Sequence, residues 1–180
     1  AERGLRVVLL EAEEIGWGAS GRNGGQVGSG QRLDQAELEQ RFGIETARRL
    51  WALAEEAKQD IRARVARHAI NCDLSEGQLV VAAKPGHAAQ LRRKAGKLAG
   101  EYSYDGARYV PPDELRSMLG SGVFHGGLLD TGALHLHPLN LAFGLARACA
   151  AAGVAMHEHS RVTGYSENGP VAVRTASGEV

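Results

Sequence analysis

Leu5-Arg6-Val7-Val8-Leu9-Leu10-Glu11-Ala12-Glu13, followed by Gly16-Trp17-Gly18-Ala19-Ser20-Gly21-Arg22-Asn23-Gly24-Gly25-Gln26, is the stretch on which the fold turns. Residues 5–10 are a short apolar run with β-branched members, set between Gly4 and a group of acids. That pattern predicts a strand buried on both faces, as in parallel sheets. Residues 16–30 hold seven of the 24 glycines (Gly16, Gly18, Gly21, Gly24, Gly25, Gly28, Gly30). Such a stretch forms neither an ordinary helix nor a strand, but a loop that turns tightly or lets something lie close to its backbone. Glu11 ends the strand. In dinucleotide-binding folds an acid at the end of the second strand accepts hydrogen bonds from both ribose hydroxyls of the adenosine half. A solvated glutamate at a strand end is the plainer alternative.

Gly16-Trp17-Gly18-Ala19-Ser20-Gly21 formally matches G-x-G-x-x-G and is read as a decoy. The true fingerprint sits in the turn directly after the first strand, opens a helix and precedes the acid by about 20 residues. Here the acid comes first. The order makes sense if Ala1–Gly4 ends a crossover helix, residues 5–10 are the second strand, and the pyrophosphate turn lies upstream. The chain accordingly reads as an internal piece of a longer polypeptide. Small residues at Gly18, Ala19, Ser20, Gly24 and Gly25 let backbone lie against a flat ring. Ser20, Arg22, Asn23 and Gln26 add polar groups suited to a pyrophosphate and a heteroaromatic edge. The competing reading of this loop is a flexible linker.

Working outward, the 180 residues carry 21 Lys+Arg against 21 Asp+Glu, a formal charge of zero. That balance argues against a nucleic-acid partner, which requires a basic face. Hydrophobic residues at 43% and charged residues at 23% indicate an ordinary globular chain and exclude bulk disorder. No apolar run approaches the ~18 residues of a membrane span. Cys72 and Cys149 lie far apart without a C-x-x-C spacing, as reduced thiols of a cytoplasmic protein would. His135 and His137 form an H-x-H pair without a third ligand nearby, so no metal site is expected.

Residues 34–68 read as a long helix that Gly43 divides in two, with Asp34 as N-cap and Glu37 completing a capping box. Its apolar stripe is Ala47, Leu50, Leu53, Ala54, Ala57, Ile61 and Val65. Its arginines (Arg48, Arg49, Arg62, Arg64, Arg67) and acids (Glu55, Glu56, Asp60) form a solvated face with i,i+4 pairs. Strands are expected at 77–83 and 122–130, and helices at 87–99 and 112–119, the latter opened by Pro112. Tyr102, Tyr104 and Tyr109 either line a substrate cleft or form a β-surface cluster. Pro138 opens a further helix with a stripe of Leu139, Ala142, Leu145, Ala146 and Cys149. His137 starts it and Gly153 caps it. A strand at 154–158 and a hairpin of 161–165 with 171–175 around Glu167-Asn168-Gly169-Pro170 complete the chain.

The run Gly18-Ala19-Ser20-Gly21-Arg22-Asn23-Gly24-Gly25, with Glu11-Ala12-Glu13 before it and His135-Leu136-His137-Pro138-Leu139 later, resembles the D-amino acid oxidase / glycine oxidase superfamily. Within it the likeness is to enzymes of the gamma-glutamylputrescine oxidoreductase type. The resemblance implies an α/β fold: a Rossmann-like FAD-binding domain, its first strand and Gly-rich turn outside this chain, with an inserted α+β substrate domain. The implied domains are 1–69 and 137–180 for FAD and 70–136 for substrate. It implies oxidation of a C–N bond in a small amine or amino acid, by hydride transfer to flavin N5 and hydrolysis of the imine. Bacterial putrescine catabolism is the first setting. A glycine, sarcosine or D-amino acid oxidoreductase and a non-catalytic nucleotide-binding module are the alternatives. Carried over by position, Glu11 holds the adenosine ribose, Ala12 next to it is a further cofactor-binding residue, and Gly18, Ala19 and Ser20 follow the pyrophosphate and ribityl chain. Arg22, Asn23, Gly24, Gly25 and Gln26 approach the isoalloxazine, and Val162 meets adenine through its backbone. The catalytic residues, the electron acceptor and the oligomeric state are not implied.

Overall fold

A computed structural model describes residues 1–166 and 171–179. It is a mixed α/β structure that divides into two compact units: residues 1–24, 64–72 and 137–180, and residues 25–63 and 73–136.

In the first unit, β1 (Val8–Leu10) pairs in parallel with β6 (Ala155–His157). The expected strand at 5–10 is therefore shorter, and it is not buried on both faces: Leu5 is 69% exposed and Val8 40%. β6 is its only strand partner among the described residues, and one neighbour cannot cover an apolar run that a doubly wound sheet would enclose. The helix α5 (Pro138–Ala151) starts as expected, with the His137 Nδ1 accepting from the Asn140 amide at 3.3 Å. Ala152 is its capping residue and Gly153 lies just beyond. Gly144, the one fully buried residue of α5, lets Ile70 pack directly on the helix backbone. The late hairpin forms from β7 (Val162–Ser166) and β8 (Ala172–Thr175), antiparallel, with β9 (Gly178–Glu179) added alongside β8. Its expected turn, Glu167–Pro170, lies outside the described residues.

In the second unit a four-stranded antiparallel sheet is built around β5 (Gly127–His135). On one side of it runs β3 (Ser75–Val81). The other side is shared by β4 (Ala107–Val110), opposite residues 127–130, and β2 (Gln26–Val27), opposite 134–135. β5 is displaced from the expected 122–130 because Asp130 does not end it. Its Oδ1 accepts from the Gly132 and Ala133 amides at 3.0 and 3.1 Å, so the backbone stays hydrogen-bonded through a bulge. Thr131, Gly132 and Ala133 stand opposite Gly77 alone, whose φ of +94° the extra residues impose.

The long helix divides as expected into α1 (Gln35–Phe42) and α2 (Ile44–Arg67), with Asp34 accepting from the Ala36 amide. Glu37 completes no capping box but pairs with Arg41 one turn on, at 2.5 Å. On α2 the buried side chains are Ala47, Trp51 and Lys58, whereas Leu53 and Ala57 of the expected stripe are exposed. Residues 47, 51, 54, 58, 61 and 65 step by three and four, so Trp51 and Lys58 define the inward face. Three arginines and acids of its polar face find partners other than i,i+4. Arg62 pairs with Glu76 of β3, Arg48 with Glu45 at 3.4 Å, and Glu55 turns to Lys58. α3 (Pro85–Tyr102) and α4 (Pro112–Leu119) sit where expected, α3 longer at both ends. The core joins Trp51 on α2, Ala95, Leu98 and Tyr102 on α3, and Ala107 and Leu128 on the sheet.

Candidate functional site

In the first unit the segment after β1 is laced to the segment after β6. Glu11 donates its amide to the His157 carbonyl at 2.9 Å, and its carbonyl accepts from the Ser160 amide at 2.7 Å. The Glu13 carbonyl accepts from the His159 amide at 2.8 Å, and its carboxylate meets Arg161 at 2.6 Å. The Ile15 amide donates to Glu158 at 2.7 Å. Two parallel strands thus lead into a double cord of backbone bonds, which brings Glu11 and Ala12 beside the residues that lead into Val162. The Glu11 Oε1 accepts from the Glu13 amide at 2.9 Å, an Asx-like turn that holds the half-buried carboxylate in place. No bond to its Oε2 occurs among the described residues. Val162, at the start of β7, is 48% exposed.

Residues 12–23 are a chain of turns and bends, with no helix opening at Gly21. The G-x-G-x-x-G match is a decoy in this structure, as the order of residues implied. Two of its glycines, Gly16 and Gly21, serve packing. A Cβ on Gly21 would stand 2.1 Å from the Gly16 carbonyl oxygen, and one on Gly16 would stand 2.7 Å from Leu139 Cδ1 of α5. Gly18 faces open space, with nothing within 4 Å of where its Cβ would be. Gly18, Ala19, Ser20, Arg22, Asn23 and Gly24 are all exposed. Asn23 Nδ2 donates to the Ala19 and Ser20 carbonyls at 2.8 and 3.2 Å, so this side chain binds the loop to itself. The Arg22 guanidinium lies over the Trp17 ring at 4.4 Å, a cation–π contact at the loop surface.

Gly25 and Gln26 fall in the second unit. Gly25 is buried and its carbonyl accepts from the Leu136 amide at 2.9 Å. Gln26 is exposed and stands directly across from His135, which in turn stands across from Ser75. Directly opposed residues of an antiparallel pair share a face, so Gln26, His135 and Ser75 form a polar row at one end of the sheet.

Of the three tyrosines, Tyr109 lines an open surface hollow with Ala88, Ala89, Arg92 and Arg93, whereas the other two turn into the core. Tyr102 and Tyr104 pack on Trp51, with ring centroids 5.5 and 5.1 Å away, and Tyr109 takes Arg92 over its ring at 4.6 Å. Tyr104 belongs instead to a polar cluster around Lys58, a residue the apolar-stripe reading passed over. Lys58 is 2% exposed. Its Nζ donates to Ser29 Oγ at 2.7 Å and to the Gly132 carbonyl at 3.2 Å, and reaches the Tyr104 hydroxyl at 3.4 Å. The Glu55 carboxylate stands 2.9 Å from it, as a charge contact rather than an aligned hydrogen bond. Tyr104 donates to Asp130 Oδ1 at 2.6 Å and shares a 2.9 Å bond with Ser29. Burial, and then the bond to Asp130, hold the Tyr104 phenol well above its ordinary value of 10.0. A lysine at position 58 in an i, i+3/i+4 stripe of apolar residues was the available signal, because such a lysine needs buried acceptors.

Among the described residues no group of three or more His, Cys, Asp or Glu side chains is placed to hold a metal ion, and no helix is long and apolar enough to cross a membrane. Neither Cys72, which is buried, nor Cys149, which is half-buried, is in a disulfide among the described residues.

The chain is 38% identical over its whole length to gamma-glutamylputrescine oxidoreductase of Escherichia coli (strain K12). It is also 38% identical to the Rhizobium meliloti (strain 1021) protein named "Probable oxidoreductase OrdL". It spans 42% of the length of each. Among solved structures, glycine oxidase from Geobacillus kaustophilus matches with a TM-score of 0.76 at 22% identity, over 99% of this chain and 47% of that one. L-amino acid deaminase from Proteus myxofaciens matches with a TM-score of 0.77 at 19% identity, over 99% of this chain and 38% of that one. These likenesses establish the fold. The family described as FAD dependent oxidoreductase (DAO) matches residues 1–180, and the chain belongs to that family.

Proposed function

We propose that the protein oxidises a C–N bond of a small amine or amino acid, with a gamma-glutamylputrescine-like amine as the first candidate, and that this chain supplies much of its flavin seat. A flavin bound here would supply hydride acceptance, so that the carbon next to nitrogen is oxidised and water hydrolyses the resulting imine. The observation that carries the reading is the exposed loop at 18–24, rich in small residues and folded through the close approach of Gly21 to Gly16, in the segment that follows the half-buried Glu11 at the end of β1. The residues fit the group. An open Gly18 and a run of small exposed residues leave backbone amides within reach of phosphate oxygens, and Glu11 keeps an oxygen for a ribose hydroxyl.

In this reading Glu11 holds the adenosine ribose, Ala12 contacts the cofactor beside it, and Val162 meets adenine through its backbone. Gly18, Ala19 and Ser20 follow the pyrophosphate and ribityl chain. Arg22, Asn23, Gly24, Gly25 and Gln26 approach the ring system. Residues 1–69 and 137–180 form the flavin-binding part, and residues 70–136 the substrate part. The identity to a relative named for gamma-glutamylputrescine supports the substrate class.

The test is anaerobic mixing of the purified full-length protein with gamma-glutamylputrescine, glycine, sarcosine and D-alanine in turn. Rapid bleaching of bound flavin by the first alone is the expected result. Bleaching by glycine, sarcosine or D-alanine instead assigns an amino-acid oxidoreductase. A flavin that none of these amines reduces sinks the amine-oxidation reading and leaves a nucleotide-binding module.

A further inference from the structure

We infer that the buried cluster of Lys58, Tyr104, Asp130 and Ser29 is a positioning device that fixes the strand seam carrying Gly25 and Gln26, and so sets the flavin environment. The inference rests on the flavin reading above. Its basis is the sharing of one edge of β5 by two strands. Up to Asp130 that edge is bonded to β4, ending with the Thr131 amide on the Gly106 carbonyl at 2.8 Å. From Leu134 onward it is bonded to β2, ending with the Leu136 amide on the Gly25 carbonyl at 2.9 Å. The bulge at 131–133 separates the two. A bulge re-aims the residues beyond it, and its register must be held by something.

Lys58 touches every party to that seam. Ser29 lies two residues beyond the end of β2, Tyr104 three residues before β4, and Gly132 in the middle of the bulge. Lys58 Nζ bonds to the first and third and approaches the second. Asp130 holds the two bulge amides with the same oxygen that accepts the hydrogen bond from the Tyr104 hydroxyl. Tyr104 fits so closely over the bulge that a Cβ on Gly132 would stand 2.2 Å from its hydroxyl oxygen. A one-residue slip in this seam would turn Gln26 and His135 to the opposite face of the sheet. A buried, mutually satisfied polar network is suited to prevent it, because any slip leaves a charge without partners in an apolar core.

The experiment uses the purified full-length holoenzyme with Tyr104→Phe and Ser29→Ala. The first keeps the ring packed on Trp51, and the second removes a single hydroxyl. The readouts are the absorbance bands of bound flavin, its reduction potential, its dissociation constant and the melting temperature. The expected result is shifted bands and potential with about tenfold weaker flavin binding, the scale on which loss of a supporting outer partner acts at metal centres. A lower melting temperature with unchanged bands, potential and affinity makes the cluster ordinary core and overturns the inference. If Tyr104→Phe does not fold, Ser29→Ala decides by the same criteria. A wild-type protein that takes up no FAD overturns the flavin reading itself, and this inference with it.

Discussion

At the scale of single residues, two glycines three positions apart in one loop are expected to respond differently to the same methyl group. At Gly21 an added Cβ meets backbone, the Gly16 carbonyl oxygen at 2.1 Å, so Gly21→Ala must open the loop. We expect a loss of about 1–3 kcal/mol, the usual range for overpacking, seen as a lower melting temperature with less flavin retained on purification. At Gly18 the same Cβ meets nothing within 4 Å. Gly18→Ala should leave stability within about 0.5 kcal/mol yet still weaken flavin, if backbone there lies against the pyrophosphate. Titration of the apoenzyme with FAD measures it, and wild-type affinity in Gly18→Ala would remove that contact from the proposal. Glu11→Gln keeps the shape and drops the charge. A hydrogen bond to a charged group contributes about 1.5–3 kcal/mol, so flavin affinity should fall at least about tenfold in the same titration. Glu11, its strand-end position and the density of glycine were legible from the chain alone. That Asn23 would spend its amide on Ala19 and Ser20 was not, because a side chain with two donors can serve the loop or a ligand equally well.

At the scale of elements, α1 and α3 are clamped by charge. The Glu39 carboxylate accepts from Tyr102 at 2.6 Å and faces Lys97 at 2.7 Å, while Lys97 also reaches Glu101 at 2.7 Å. Burial alone would raise the Glu39 pKa, but the bonds from Lys97 and Tyr102 outweigh it and hold the carboxyl below its ordinary 4.5. A lowered folded-state value stabilises above the unfolded one, and that gain disappears as pH falls through the folded value. Glu39→Gln should therefore be less stable than the wild type at neutral pH by on the order of 1 kcal/mol, as for partly exposed pairs. The gap should close as the pH drops below 4.5. Urea unfolding across that range gives the answer, and a gap independent of pH would mean the charge contributes nothing. The helices and their starts were readable because caps and prolines act locally: Asp34, Pro112, Pro138 and Gly43 each did what their residue type prescribes. The placement of β5 was not, because Asp130 breaks a strand by propensity and continues one here only through amides it captures beyond itself.

At the scale of the whole molecule, the strands differ in how well they are enclosed. The β3–β5–β4 region has partners on both sides of β5 and buried Leu128 and Val110. Among the described residues β1 has one strand partner, with Leu5, Val8 and Leu9 all exposed. In the isolated 180-residue chain, hydrogen exchange should accordingly protect amides of 128–130 most and those of 8–10 far less, since few buried contacts mean cheap local opening. Equal protection in both would show that β1 is covered in solution.

The chain by itself determined its helices, its turn-forming glycines and the acid that closes β1, since backbone propensity, capping and the absence of side chains are properties of a few neighbouring residues. Only the tertiary structure decided that Lys58 and Trp51 face inward, that β5 bulges, and that β2 and β4 divide one edge. A buried amine is tolerable only where Ser29, Tyr104 and Gly132 arrive from distant segments to join Glu55, one turn back on the same helix, in meeting it. No local rule carries that information.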